Sequence, residues 1–359
     1  MENELVERAV TSACSGDIRL AGGPVIGVVG PTASGKSELA QAIAQSIGGE
    51  VVSADAMQVY RGMDIGTGKV PLSERRVPHQ GLDLVNPGEA YSAALFQTYA
   101  RSCFSECDRR GSRTILCGGT GFYVRAAIDD YSFPKGEQVE NPVRERWNAY
   151  ALFNGPQALW DQLNAVDPAS AGIIPPNDVK RVVRAFELRE DGTSYAVQKA
   201  KLASIEQLYP VVLIGLRVTP SVLKERIEKR VDEMFAQGLV DEVTHLLDQG
   251  FRSALTAQQA IGYKEVVAAL DGECTMDEAA TRIKTATRHY AKRQRTWFRK
   301  DKRIVWINAD DADSARMLAE SLPIIARADE AYHAWVGQDD SSVQRSAASF
   351  RNDTKGEHD

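Results

Sequence analysis

Along the N-terminal third of the chain, short continuous apolar runs alternate with stretches whose apolar positions recur every three to four residues. This is the rhythm of parallel strands joined by helices. Val25-Ile26-Gly27-Val28-Val29 reads as a buried strand, and Leu39, Ile43 and Ile47, with Ala40 and Ala44 alongside, place a helix behind it that Gly48-Gly49 closes. Residues 50–54 give a second strand, Leu82-Asp83-Leu84-Val85 a short third and residues 113–117 a fourth. Ala94, Phe96, Tyr99, Cys103 and Cys107 suit an amphipathic helix from Tyr91 to about Arg109, which Gly111 ends.

From about Asp130 to Gln207 the alternation stops. Trp147, Tyr150, Leu152 and Phe153, then Leu159, Trp160, Leu163 and Val166, are helical faces separated by Gly155-Pro156 and Asp167-Pro168, so a helical insertion interrupts the sheet. Within it Asn177 or Asp178 caps a helix whose apolar face is Val179, Val182, Val183 and Phe186. Arg181 and Arg184 project from its other side, as a solvated face or as an anion-binding lid. Residues 210–216 restore a strand, Thr219-Pro220 opens a helix, Val240–Leu247 forms another, and Ile304–Ile307 is a last strand. The predicted fold is α/β: a parallel-sheet core of residues 24–130 and 208–310 with helices on both faces, and an insertion at 131–207. A C-terminal helix is expected at 311–337, a mobile tail over 1–23 and a disordered one from 338.

Composition adds constraints. The 359 residues carry 26% charged side chains and a net charge of −6, ordinary for a soluble protein of one or two domains. Five cysteines without a C-x-x-C pair argue against a disulfide framework or a zinc site and for a reducing cytoplasm. Glu2, Glu4 and Glu7 exclude a signal peptide, and no run reaches the ~18 apolar residues of a membrane span. Charge is unevenly placed: ten basic residues and one acid between Thr281 and Arg303 leave that segment at +9 and the remainder at −15. Its His289, Tyr290, Trp297 and Phe298 stand among the cations, a composition suited to RNA or, more simply, to a helix with a solvated charged face.

Candidate chemistry centres on Gly30-Pro31-Thr32-Ala33-Ser34-Gly35-Lys36-Ser37, a G-x-x-x-x-G-K-[ST] phosphate loop between a strand and a helix, where ATP is the default guest. Lys36 is placed on the outer phosphates and Ser37 on Mg²⁺. Asp55 follows the second strand, facing the ligand or capping a turn. The glycine-rich run Asp64–Lys69 should face the same mouth. His79 is read as structural. Hydrolytic relatives of this fold carry a carboxylate after the fourth strand; here Gly118-Gly119-Thr120 stands instead, opening the backbone to a ligand. Arg226 and Arg230, four apart, either clamp a phosphate or pair with Glu225, Glu228 and Glu233.

Together these residues resemble the tRNA dimethylallyltransferases, isopentenyl transferases that modify tRNA. The likeness covers residues 24–307 and rests on ordered motifs: the phosphate loop, Asp55-Ala56-Met57-Gln58-Val59-Tyr60, Gly62–Thr67, Gly118–Tyr123, Asn177–Ala185, Ile261-Gly262-Tyr263, and Ala291–Gln294 with Thr296-Trp297-Phe298. It implies transfer of a dimethylallyl group from dimethylallyl diphosphate, with Mg²⁺, to N6 of the adenosine 3′ of the anticodon in tRNAs reading codons that start with U. It implies Asp55 as the base, Thr120 against the tRNA, and Lys36, Ser37 and Arg230 on the leaving group. Contacts to the anticodon stem-loop map onto Asp55, Ala56, Met57, Gln58, Thr120, Arg144, Lys180, Arg181, Val182, Val183, Arg184, Gln259, Ala260, Ile261, Gly262, Tyr263 and Lys264. Ala56 and Phe186 depart from the family pattern, where Ser and Leu are common. A cytoplasmic monomer is expected. Rival readings are an ATP-dependent small-molecule kinase, which leaves the basic helix unexplained, and a non-catalytic RNA-binding protein, which leaves Asp55 unexplained.

Overall fold

Apolar runs with no polar face fold as strands covered on both sides, and they make one sheet, joined at its edge by a short polar strand, in the computed structural model, which describes residues 4, 6, 7, 10, 18–133, 141–203, 205–254 and 256–353. The strands are β1 (Val25–Val29), β2 (Gly49–Ser53), β3 (His79–Gln80), β4 (Arg113–Gly118), β5 (Val211–Arg217) and β6 (Ile304–Asn308). All pairs are parallel and the order is β3-β2-β4-β1-β5-β6, with Ile26 beside Ile115 on one flank and Val212 on the other. Alternate residues feed two cores: Ile26, Val28, Ile115 and Ile214 face one, and Val25, Val29, Leu116 and Leu213 the other. The expected α/β sheet with helices on both faces is what forms.

Three expectations change. No strand forms at Leu82–Val85. Gly81 (φ 80) and Asp83 (φ 55) are left-handed, which breaks an extended run, and Val85 makes a single bridge to Tyr60. Within residues 1–23, Val6 and Val10 are buried in the first core, their i, i+4 spacing giving one apolar edge, so these two are packed rather than mobile. The last helix runs Ser314–Asp353 where a tail was expected from 338. Residues 338–353 contain no proline or glycine to break a helix, although they are richest in Ser and Asp.

Residues 130–206 form a unit of their own. Its helices are Pro142–Val166, Pro168–Ala171, Val179–Glu190 and Tyr195–Ala203, the first bent at Gly155 before Pro156. Leu159, Leu163, Ile174, Val182 and Phe186 make its core, with the Trp147 ring stacked 3.7 Å from Phe186. Asp178, not Asn177, caps the third helix through the Arg181 amide. Leu152 and Phe153 lie beside the bend and are exposed rather than on a packed face.

Where the core chain departs and returns, the fully buried Asp129 is held by Arg303 at 2.6 Å and Arg125 at 2.6 Å, and Arg303 also reaches Gln207 and Asp301. Burial pushes the Asp301 carboxyl up, but the Arg303 hydrogen bonds hold it below the usual carboxylate range. Removing one partner of such a buried pair strands the other charge. Asp129→Ala is therefore expected to cost about 3–5 kcal/mol of unfolding free energy in a denaturant titration. Glu190→Ala, which removes the exposed pair with Arg146, should cost under about 1 kcal/mol.

Candidate functional site

β1 delivers residues 30–35 to the carboxyl end of the sheet, and they turn directly into the helix Lys36–Ile47. The cap position is Gly35 (φ 89), which offers no side-chain acceptor to the first-turn amides, and Ala33 (φ 61) also sits in the left-handed region. Such alternation turns successive N–H groups to one side, a concavity for an anion. Lys36 Nζ donates to the Pro31 carbonyl at 3.4 Å. Burial lowers the Lys36 pKa, with Cys117 and Asp55 opposing the shift and Arg230 adding to it. Cys117 donates to the Lys36 carbonyl at 3.6 Å, and burial pushes its thiol up to about 11.

Three adjoining cavities share this loop's surroundings. A throat of about 50 Å³ is lined by Thr32, Lys36, Ser37, Asp55, Gln58 and Arg230. On the phosphate side it shares Lys36, Ser37, Gly68 and Arg230 with a mouth of about 610 Å³. On the other side it shares Thr32, Asp55, Thr67 and Arg230 with a chamber of about 370 Å³, of the size that takes a small ligand. The chamber's walls divide by chemistry: Ile227, Val231, Met234, Ile261 and Ile283 are apolar, and Asp55, Thr120, Gln259, Tyr290 and Arg293 are polar.

Asp55 satisfies both of its sequence readings. Its Oδ1 accepts the Met57 amide at 2.9 Å, capping a turn, while the residue lines throat and chamber together. Thr120 Oγ1 accepts the Ala56 amide at 3.1 Å, so this hydroxyl ties β4's end to the Asp55 turn. The pairing of Arg226 and Arg230 with their neighbouring glutamates does not form. Glu228 pairs with Arg288 and Lys224, and Glu233 with Lys229. Arg230 is instead half-buried beside the loop at Gly68, where a built Cβ would come 1.7 Å from its Nη2, and desolvation lowers its pKa against the pull of Asp55 and Glu233. Arg226 donates to the Asp310 carbonyl at 2.6 Å and lines the mouth. His79 lies on β3 with Nδ1 2.8 Å from the Val77 carbonyl, and the residue also lines the throat.

The remaining candidates separate. Ala56, Met57, Gln259, Ala260 and Ile261 line the chamber. Gly262 caps the next helix, accepted by Glu265, and Lys264 is exposed. Tyr263 is fully buried and donates to Glu242, so its ring packs instead of facing a ligand. In the insertion, Val182 and Val183 are core residues because they lie on the helix's apolar stripe, which removes their side chains from any RNA-facing set. Arg144 and Arg184 both grip the buried Glu187, at 2.6 and 2.8 Å, and hold its carboxyl below the usual range against the upward push of burial. Arg181 pairs with Asp178, and Lys180 is exposed.

The basic segment is partly structural. Lys284 pairs with Asp232, Arg288 with Glu228 and Arg303 with Asp129, leaving Arg282, Lys292, Arg293, Arg299, Lys300 and Lys302 exposed. From its helix, Met276–Phe298, the buried Gln294 reaches the phosphate loop: Oε1 accepts the Thr32 amide and Nε2 donates to the Gly119 carbonyl, both at 2.9 Å. A Cβ at Gly119 would lie 2.2 Å from Gln294 Nε2, so that glycine makes room for a protein amide, not for a ligand as its sequence suggests. In the sequence Gln294 stands out only within the motif Ala291–Gln294, and Tyr290 only among the aromatics of the basic helix, neither with a role at the site. The readable signal was Ile283, Thr287 and Tyr290 at helical spacing, one stripe of a helix otherwise basic.

Comparison with known proteins is consistent with this geometry. The family model described as IPP transferase matches residues 58–301, and one described as isopentenyl transferase matches 24–77. A tRNA dimethylallyltransferase of Syntrophus aciditrophicus (strain SB) is 44% identical over 284 residues, 79% of this chain and 91% of the relative. The tRNA isopentenylpyrophosphate transferase of Bacillus halodurans superposes with a TM-score of 0.65 at 39% identity, over 87% of this chain and 98% of that one. A eukaryotic dimethylallyltransferase solved acting on tRNA gives 0.70 at 28% identity, over 84% and 79%.

Two outcomes follow from the loop's surroundings. Gln294→Ala leaves the buried Gly119 carbonyl without a partner and the half-buried Thr32 amide to solvent, and should lower stability by about 1–3 kcal/mol, read by denaturant titration. Lys36 is protonated only below its lowered pKa, so affinity for inorganic diphosphate should fall as pH rises, beginning below the 10.5 of an ordinary lysine. Calorimetry across alkaline pH reads this, and Lys36→Met should abolish the pH-dependent component.

Proposed function

The chain belongs to the IPP transferase family, and from that premise we propose that it moves a dimethylallyl group from dimethylallyl diphosphate to N6 of the adenosine immediately 3′ of the anticodon, in tRNAs reading codons that start with U. The observation that carries this reading is Asp55, whose carboxylate borders both the throat beside Lys36, Ser37 and Arg230 and the partly apolar chamber on the other side. Diphosphate held by the loop amides, Lys36 and Arg230 puts its allylic carbon at the throat. A base admitted to the chamber puts its exocyclic nitrogen against Asp55.

An adenine amine is a weak nucleophile, because its lone pair is delocalised into the ring. Catalysis therefore lies in holding it in line with the allylic carbon and in stabilising charge on the departing diphosphate. N6 forms the new bond to C1, the C1–O bond breaks, diphosphate keeps the electron pair, and the N6 proton passes to Asp55. Lys36 and Arg230, half-buried cations whose pKa values desolvation lowers, gain most when the leaving group's charge grows. For Mg²⁺ the donors fit a metal that arrives with its substrate. The Ser37 hydroxyl lines the site, and no cluster of three His, Cys, Asp or Glu able to hold a metal alone occurs among the described residues. Mg²⁺ bound through Ser37 and the diphosphate would neutralise leaving-group charge.

The adenosine must leave its stack to enter the chamber, and the exposed cations of the basic helix with Arg293 at the chamber wall supply phosphate contacts. We propose that the protein acts as a monomer. No helix among the described residues is long and apolar enough to cross a membrane, which fits an enzyme meeting tRNA in the cytoplasm. The kinase alternative finds no support in the family match.

Purified protein with Mg²⁺, dimethylallyl diphosphate and tRNA should yield N6-dimethylallyladenosine by mass spectrometry of the digested RNA. Phosphoryl transfer from ATP, or no prenylated nucleoside, would contradict the reading. Asp55→Asn should lower kcat by about 10²–10⁴-fold while leaving tRNA affinity within about threefold; equal losses in both would show that Asp55 only binds.

A further inference from the structure

The run Asp64-Ile65-Gly66-Thr67-Gly68-Lys69 borders the site, yet its side chains supply little chemistry. Its backbone is what is held. Glu242, on the helix Leu239–Asp248, directs its carboxylate at three consecutive amides of the run. Oε2 accepts from Asp64 at 3.0 Å and Ile65 at 2.7 Å, and Oε1 from Gly66 at 3.2 Å and from the Tyr263 hydroxyl at 2.6 Å. The next two residues meet Arg230. Its Nη2 lies 3.5 Å from the Thr67 carbonyl, and a side chain at Gly68 (φ 61) would have to push the guanidinium aside. Glu242 itself borders none of the three cavities.

We infer that Glu242 is a positioning residue for the diphosphate site, acting through the loop backbone on Arg230; this rests on the leaving-group role proposed for Arg230. The chemistry requires a carboxylate. Four donors converge on its two oxygens, and a glutamine would turn its NH₂ group toward at least one backbone N–H, which cannot accept from it. The loop is fixed independently at its far end, where the buried Lys69 ammonium donates to the Tyr60 carbonyl, Asp64 and Asp83, all within 2.6 Å. Asp64 stays tied to Lys69, and Gln58 Nε2 still donates to the Thr67 and Gly68 carbonyls at 3.3 Å. Loss of the Glu242 contacts therefore loosens Ile65 and Gly66 without releasing the whole loop, and the backbone behind the guanidinium is less firmly set.

The test is a double-mutant cycle read by calorimetry with inorganic diphosphate and Mg²⁺. Glu242→Gln should weaken diphosphate by about tenfold and raise the KM for dimethylallyl diphosphate more than it lowers kcat, with tRNA affinity unchanged. In an Arg230→Lys background the same substitution should add less than about twofold, because the group it positions is already gone. Multiplying effects in the double variant, or a Glu242→Gln protein that binds diphosphate normally, would overturn the inference while leaving the site intact. Wild-type protein that fails to bind diphosphate, or Arg230→Lys that binds it normally, would overturn the site reading and this inference with it. Should Glu242→Gln not fold, Tyr263→Phe removes one of the four donors and runs the same cycle, with a smaller loss that Arg230→Lys again masks.

Discussion

One buried amide joins the parts of this protein that have to meet. Gln294 accepts from Thr32 in the phosphate loop and donates to Gly119 after β4, and it does so from the helix whose neighbouring turns present Tyr290 and Arg293 to the chamber. Its oxygen and nitrogen are both satisfied, so the arrangement has one low-energy form; withdrawing the helix would strand two backbone groups. The spacing between a donor held on the loop and an acceptor held in the chamber is thus set by hydrogen bonds of fixed length. A transfer reaction, in which a displacement by a few tenths of an ångström changes the rate, needs that constraint.

Around this clamp the electrostatics are arranged for a guest of opposite sign. Lys36 and Arg230 are both half-buried and both shifted toward their neutral forms by desolvation; Arg230 lowers the Lys36 pKa further, while Asp55 opposes both shifts, with Cys117 at Lys36 and Glu233 at Arg230. Buried cations without enough countercharge are destabilising on their own. A diphosphate would supply the missing charge, and the charge it gains on leaving would be met by groups that need no reorganisation. Arg230 holds this position because the 64–68 backbone backs it, and that backbone in turn rests on Glu242.

The parts legible in the sequence were those whose cause is local. β1, the loop and its helix follow from an apolar run, a glycine-bounded turn and i, i+4 spacing, and the insertion announces itself where strand rhythm stops. Leu82–Val85 misled because its apolar content is strand-like while Gly81 and Asp83 impose left-handed turns that periodicity does not register. Val182 and Val183 sat inside a motif read as RNA-facing, although their own amphipathic phase already placed them in a core. The roles of Gln294 and Glu242 were invisible for a different reason: their partners lie 175 to 262 residues away for Gln294 and at least 176 away in the loop for Glu242. No local pattern encodes such a pairing; only the closed sheet brings the segments together.

The central claim is that the phosphate loop holds a leaving group and Asp55 stands between it and an RNA base. A crystal structure of the protein with Mg²⁺, a thio-diphosphate analogue of the donor and an anticodon stem-loop tests it most directly. The account predicts diphosphate on the amides of residues 33–37, the allylic carbon at the throat, and an unstacked adenine in the chamber with N6 hydrogen-bonded to Asp55. An adenine left stacked in the RNA, or a diphosphate bound away from Lys36 and Arg230, would contradict it.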